Sequence, residues 1–188
     1  MNCRSEAADP FEIADILSTF RVICDNREQK TPRAAERFKA LGAIEKGVLD
    51  YGDYCANVDI SGLPLYDISA RVYPSCVIER KMGLDELASC FTHSRERFHK
   101  EFERAQNNGA KVYLLVENAS WEAILMHRYK SQFRPEAFKA SLVAWMTRYD
   151  ITPIFCKSDV SGEIIREILF RDMREQLERG AFDGIQRQ

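Results

Sequence analysis

Two periodicities alternate along the chain. Short apolar runs read as strands: "RVIC" at 21–24, "CVIERK" at 76–81, "KVYLLVE" at 111–117 and "TPIFC" at 152–156. Between them, apolar residues recur at helical spacing. The segments 10–20 and 32–41 open on Pro10 and Pro32, which suit a first helical turn, and Gly42 closes the second. "LDELASCF" (84–91) predicts a short helix, and 94–106 a longer one ended by Asn-Asn-Gly. "SWEAILMHRY" (120–129) predicts a helix with Ser120 as its cap. Over 134–149, Phe138, Leu142, Trp145 and Tyr149 share one face; over 161–180, Ile164, Ile165, Ile168, Leu169, Met173 and Leu177 do. The stretch 43–60 reads as two strands with "YGDY" at or near the join, and 61–75, with two prolines and a glycine, as loop or hairpin.

Strands and helices alternate through the second half, which predicts an α/β fold with a mixed central sheet. No repeat, low-complexity tract or linker divides the chain. It reads as a single domain over 20–180, preceded by an N-terminal extension (1–19) that forms a short helix and followed by a frayed tail (181–188).

Composition narrows the class. The 188 residues are 45% hydrophobic and 30% charged, enough for one proper core and too apolar for a disordered chain. The net charge of -2 gives no global sign of nucleic acid, so any anion-binding surface must be local. The six cysteines form no CxxC pair and no zinc spacing; Cys24, Cys76 and Cys156 border apolar runs and read as small core residues of a reducing compartment. The first residues lack a basic segment followed by an apolar one, and no run approaches membrane-spanning length. The expectation is a cytoplasmic protein, nucleoid-associated or nuclear according to its cell, without a membrane.

The candidate chemistry lies at strand ends. Asp25 follows "RVIC", Asp53 sits in "YGDY", and Glu79 and Lys81 follow "CVI" with one residue between them. Residues two apart in a strand share a face, so Glu79 and Lys81 reach one site while Arg80 points the other way. Carboxylate oxygens of this kind hold Mg²⁺, and a neighbouring lysine can orient or deprotonate a water or stabilise charge on a phosphate. Taken singly, each motif has an ordinary reading: "ERK" as a solvated strand end, Gly52-Asp53 as a turn, Arg27 and Glu28 as an ion pair.

Together, "VICDNRE", "YGDY" and "VIERKMGLDEL" resemble the XPF-type structure-specific endonucleases, whose signature is GDY, a variable gap, ERK, three residues and Asp. Gly52-Asp53-Tyr54, Glu79-Arg80-Lys81 and Asp85 match it, and Asp25, Arg27 and Glu28 match the upstream Asp-x-Arg-Glu. The resemblance covers about 20–174. It implies a restriction-endonuclease-like mixed sheet flanked by helices, with Asp53 and Glu79 ligating Mg²⁺ or Mn²⁺ and Asp25 supporting the metal or its water. It makes Lys81 the catalytic lysine, with Arg27 and Arg80 holding the site or the phosphate and Asp85 anchoring the next helix. An arginine that the family carries after this helix falls on Arg95 or Arg97, and Phe98 favours Arg97. The implied function is a metal-dependent endodeoxyribonuclease acting on branched, flapped or otherwise structured DNA in repair or recombination. The alternative is a non-catalytic DNA-binding or partner subunit. Homodimerisation is the family's habit, which implies a homodimer or heterodimer here, and the apolar face of 161–180 could serve pairing or simply cover its own sheet. Nothing after Cys156 resembles the helix-hairpin-helix modules that grip DNA in many members.

Nucleic-acid contacts are harder to place. Residues 79–104 hold six bases and six acids, so Arg95, Arg97, Lys100 and Arg104 form either a DNA-facing side or a salt-bridged surface. Residues 128–149 hold Arg128, Lys130, Arg134, Lys139 and Arg148 against Glu136 alone, a net of +4. Lys130 and Arg134 are the backbone contacts expected there. Tyr129 and Phe133 either stack an unpaired base or join Phe138 and Trp145 in the core. His93, His99 and His127 fit no metal or triad spacing; His93 or His99 is left as a phosphate contact.

Overall fold

The computed structural model describes residues 10–28, 32–60, 63–64 and 75–179. In chain order the elements are α1 (Pro10–Ser18), β1 (Arg21–Asp25), α2 (Pro32–Leu41), β2 (Ile44–Gly47), β3 (Tyr54–Asn57), β4 (Asp59–Ile60), β5 (Leu63–Pro64), β6 (Cys76–Lys81), α3 (Leu84–Phe91), α4 (Arg95–Asn107), β7 (Lys111–Glu117), α5 (Trp121–Leu125), α6 (Pro135–Tyr149), β8 (Thr152–Cys156) and α7 (Ser161–Glu178). Six strands make one sheet in the order β2-β1-β3-β6-β7-β8. β3 runs antiparallel to β1 and β6, and the other pairings are parallel. The sheet is therefore mixed, as expected. Its one reversed strand brings the residues before β3 to the edge where β1, β6 and β7 end.

Alternation along the strands divides the core into two layers. Ile23, Cys55, Val77, Leu114 and Val116 face α3, α4 and α6. Val22, Cys24, Tyr54, Ile78 and Leu115 face the opposite way, with Ile13 and Ile16 of α1, Leu41 of α2 and the apolar side of α7. The first layer is rich in rings. Phe91 and Trp145 meet edge to face at 4.9 Å, and Phe98 lies 5.1 Å from Trp145. Each such side chain contributes about 1.5–3 kcal/mol by leaving water. Tyr129 and Phe133 pack partly buried against this layer, and the Tyr129 hydroxyl donates to the Phe133 carbonyl. Both are thus part of the core rim, while Arg128, Lys130, Arg134, Lys139 and Arg148 are exposed.

Ile165, Leu169, Met173 and Leu177 of α7 are buried, so this face covers its own sheet and is not open for pairing. Cys24, Cys55, Cys76 and Cys90 are free and buried and Cys156 is half-buried, in keeping with core residues. β4 and β5 pair as a short hairpin at the start of 61–75, whose residues 65–74 lie outside the described residues, as do 1–9, Cys3 among them, and the tail 181–188. No helix among the described residues is long and apolar enough to cross a membrane.

The helix expected over 120–129 is shorter. Ser120 caps it by accepting from the Ala123 N–H at 3.1 Å, but it ends at Leu125. His127 turns left-handed at φ 52°, its N–H reaches the Ile124 carbonyl, and Arg128 N–H reaches that of Ala123. That pair of bonds closes a helix C-terminus without a glycine, which helical spacing alone does not announce.

α2 and α7 approach closely at Gly162. A Cβ there would lie 2.6 Å from the Arg37 carbonyl oxygen and 2.8 Å from Ala40 Cβ. Backbone cannot swing aside as a flexible side chain can. Gly162→Val is therefore expected to lower stability by about 1–3 kcal/mol, read as an earlier urea midpoint with an unchanged slope. An unchanged midpoint would mean that the two helices separate freely.

Candidate active site

The charged strand ends collect at one edge of the sheet. Asp53 is held there by its backbone before its side chain is considered. Its N–H donates to the Ile78 carbonyl at 2.8 Å, and its carbonyl accepts from the Asp25 N–H at 2.9 Å. These bonds fasten the turn before β3 between β1 and β6. Gly52 makes the turn possible: its φ is +74°, and a Cβ would meet Val77 Cβ at 2.8 Å. Tyr54, next along, points through the sheet to the other layer, where its hydroxyl accepts from Arg37 Nε at 3.0 Å. Each residue of Gly52-Asp53-Tyr54 thus has a separate physical task.

Glu79 and Lys81 project to one face of β6 and are bonded to each other, Lys81 Nζ donating to Glu79 Oε1. Both are buried, and the Lys81 ammonium lies 5.1 Å above the Phe98 ring. The second Glu79 oxygen, Oε2, is buried without a hydrogen-bond partner. Asp53 keeps partial exposure, and its Oδ2 accepts the Arg80 N–H at 2.8 Å. Desolvation, then the charge of Glu79, pushes the Asp53 carboxyl up to about 8. Burial likewise raises Glu79, offset by Lys81 and reinforced by Glu101. Lys81 is pushed above the ordinary range: burial works against its charge, but Glu79 and Asp53 outweigh it. A lone acid would relax into solvent; these two are held together in one recess, Glu79 buried and Asp53 at its opening.

Arg80 points to the opposite face, as alternation requires. There it closes a ring with three residues from other elements. Glu28 Oε1 accepts from Arg37 Nη2 at 2.5 Å and from Arg80 Nη2 at 2.8 Å. Glu117 accepts from Arg37 Nη1 at 3.1 Å and from Arg80 Nη1 at 3.2 Å. Arg37 and Glu117 are almost fully buried and Arg80 nearly so. Both terminal nitrogens of the Arg80 guanidinium are bonded in this ring, on the face of the sheet opposite Glu79.

Asp25 and Arg27 also differ from expectation. Both Asp25 oxygens are taken: Oδ1 by the Arg27 N–H and Nε at 2.7 Å each, Oδ2 by the Leu49 N–H at 2.9 Å and Arg27 Nη2 at 3.1 Å. These partners overcome burial and hold the carboxyl below its ordinary range. Asp25 fixes the 47–53 connection that leads to Asp53. Asp85 Oδ1 accepts from the Lys130 and Ser131 N–H groups at 2.7 Å each, which ties the loop carrying Lys130 to the start of α3. Arg97 shares a helical face of α4 with Glu101 and Arg104, whereas Arg95 lies toward α6; both are exposed.

Three participants escaped the sequence reading. Glu101 Oε1 accepts the Gly52 N–H at 3.1 Å and its charge acts on Glu79. Arg37 and Glu117 complete the ring. The i, i+4 spacing of Arg97 and Glu101 is a local signal for the first. Arg37 and Glu117 lie 80 residues apart, and no local signal joins them.

The residues fit a hard divalent cation. Glu79 Oε2 is an orphaned buried oxygen, and Asp53 and Glu79 crowd like charge in one recess. Among the described residues no three His, Cys, Asp or Glu side chains form a ready ligand set. The donor set is thus two carboxylates, the number with which Mg²⁺ is often held when water and phosphate supply the rest.

The family model described as the ERCC4 domain matches residues 24–168. Among solved structures, XPF from Aeropyrum pernix is similar with a TM-score of 0.56 and 20% identity, over 81% of this chain and 61% of that one. The same protein in complex with DNA gives 0.56 and 20%, over 82% and 65%. The chain spans less than two thirds of the length of these relatives. No curated protein matches it.

Arg37→Ala is expected to cost about 3–5 kcal/mol, because it strands two buried carboxylates and the Tyr54 hydroxyl. Thermal and urea unfolding read the loss. A cost near that of a surface arginine, under about 1 kcal/mol, would mean that the ring opens to water without penalty.

Proposed function

The chain belongs to the ERCC4 domain family, and from that premise we propose that it is a divalent-metal-dependent endodeoxyribonuclease cutting branched, flapped or otherwise structured DNA. The observation that carries this reading is the paired recess: half-buried Asp53 beside buried Glu79, with Lys81 bonded to Glu79 and one Glu79 oxygen unpartnered. A solvated strand end would not confine two acids and a lysine in this way. A partner subunit with no chemistry would not need to keep them.

In this reading Asp53 and Glu79 hold Mg²⁺ or Mn²⁺. The bound cation would supply Lewis acidity at the scissile phosphate and lower the pKa of a nearby water. Lys81 donates a hydrogen bond to a phosphate oxygen or to the attacking water. Gly52 and the backbone of β6 keep Asp53 at a fixed position, and the Phe98 ring shields the lysine from bulk water. Arg97 lies on the α4 face that carries Glu101 and is the first phosphate contact beyond the acids. Lys130 and Arg134 extend the basic surface along the loop that Asp85 anchors. The neighbour solved with DNA supports a nucleic-acid substrate for this fold. Asp25 and Arg80 act by position: both Asp25 oxygens and the two terminal Arg80 nitrogens are bonded within the protein, and Arg27 is the residue that holds Asp25.

With Mg²⁺ and a forked or flapped DNA, Asp53→Asn or Lys81→Met should lose at least about 10²–10⁴-fold in cutting rate. Cutting by either variant at the wild-type rate would sink the assignment. A second readout needs no substrate. Saturating Mg²⁺ should raise the melting temperature of the wild type and leave that of Asp53→Asn unmoved, because a ligand stabilises only the fold that binds it. Without metal, Asp53→Asn should melt no lower than wild type. The exchange keeps an acceptor for the Arg80 N–H and relieves repulsion from Glu79.

A further inference from the structure

A second polar cleft opens on the other side of α4, between its first turn and the end of α6. It has a volume of about 490 Å³ and is lined by His93, Arg95, Glu96, His99, Trp145 and Arg148. Arg97, Glu101 and Arg104 point to the side of α4 that meets Gly52 and Asp50. Arg95 and His99 point to α6, where Tyr149 bonds the His99 ring and Gln106 Nε2 donates to the Arg148 carbonyl. The helix itself separates this cleft from the acids.

Four features of the cleft favour an anion. The guanidinium groups of Arg95 and Arg148 have no carboxylate partner among the described residues, although Arg148 lies against the Tyr149 ring at 5.8 Å. α4 begins here without a side-chain cap, and the N–H groups of residues 95–97 find no acceptor among the described residues. His93 bonds the Thr92 hydroxyl through Nδ1 and keeps its other nitrogen unpartnered among the described residues. Trp145, only 1% exposed, forms part of the wall, and its buried Nε1 lacks a hydrogen-bond partner. Glu96, the acid in the lining, accepts from Lys100 at 2.8 Å, and Glu103 lies 3.3 Å from His99 Nε2.

We infer that this cleft binds a phosphate group, carried by a nucleic-acid strand or by a free nucleotide. The fork of an arginine matches phosphate oxygens in pairs, and the open start of α4 adds backbone donors to the same volume. The inference stands apart from the nuclease reading, since none of these residues touches Asp53, Glu79 or Lys81.

The test is calorimetric titration of the full chain in EDTA, with adenosine monophosphate in one arm and a short single-stranded oligonucleotide in the other. A Trp121→Phe background makes Trp145 the sole tryptophan reporter in parallel fluorescence titrations. Saturable binding in either arm is expected, accompanied by a change in Trp145 emission. Arg95→Gln/Arg148→Gln should weaken it at least about 10-fold. Saturation by the nucleotide identifies a free-nucleotide site, and saturation by the oligonucleotide alone a strand contact. No saturable binding in either arm, or binding that ignores the double exchange, overturns the proposal. Circular dichroism melting checks the fold. Should the double variant fail to fold, Arg148→Gln alone, at an exposed position near the end of α6, decides by the same criterion.

Discussion

The ring of Arg37, Glu28, Arg80 and Glu117 is the interaction on which the rest of this sheet edge depends. It joins the turn after β1, the helix α2 and the ends of β6 and β7 in one closed set of four ion pairs. None of these groups could be buried alone, since an isolated charge costs several kcal/mol to desolvate. Closure matters for that reason: each guanidinium meets two carboxylates and each carboxylate two guanidiniums. Its consequence is felt across the sheet. Arg80 is fixed on one face, so Glu79 and Lys81, its neighbours in β6, are fixed on the other. The Arg80 N–H then holds Asp53 through Oδ2. A charge ring in one layer therefore sets the geometry of the acids in the opposite layer through one strand of backbone.

The single reversed strand supplies the other half of the arrangement. In a wholly parallel sheet, side chains at this edge come only from strand ends and the loops beyond them. β3 enters from this edge, so the residue before it, Asp53, is pinned by two backbone bonds to the strands on either side. That makes Asp53 part of the sheet rather than part of a loop. The tight turn at Gly52 and the Asp25 contacts to Leu49 and Arg27 hold the connection that delivers it. Glu101 reaches in from α4 to the Gly52 N–H and closes the recess from the helical side.

Much of this was legible in the sequence, and the reasons differ by element. Buried strands such as 76–81 and 111–117 declare themselves because apolar runs ending in charge have few other uses, and the period of two separates Glu79 and Lys81 from Arg80 without a structure. The apolar stripes of α6 and α7 follow the same logic at helical period. What sequence could not convey were contacts between distant positions. Arg37 looks like an ordinary charge on an amphipathic helix, and only the packing of α2 against α7 at Gly162 carries it to Glu117. The resemblance set Asp25 beside the metal or its water; its partners are the local Arg27 and an N–H from the 47–53 connection. α5 ended early because a left-handed His127 closes it, and histidine is not a residue that advertises such a turn.

The distinction between Asp25 and the other two acids bears on how the site divides its work. An acid whose oxygens are filled by arginine and backbone donors is held below its ordinary pKa and has nothing left to offer a cation. An acid raised by burial and by a like charge is in the opposite condition: its surroundings are incomplete, and a positive ion would complete them. Asp53 and Glu79 meet the second description. The cost of crowding them falls on the fold, and it is borne by the stable elements around them: the charge ring below, the aromatic layer above, and the backbone bonds on both sides. Asp25 belongs to that supporting structure, while Asp53, Glu79 and Lys81 are the groups on which the proposed metal chemistry rests.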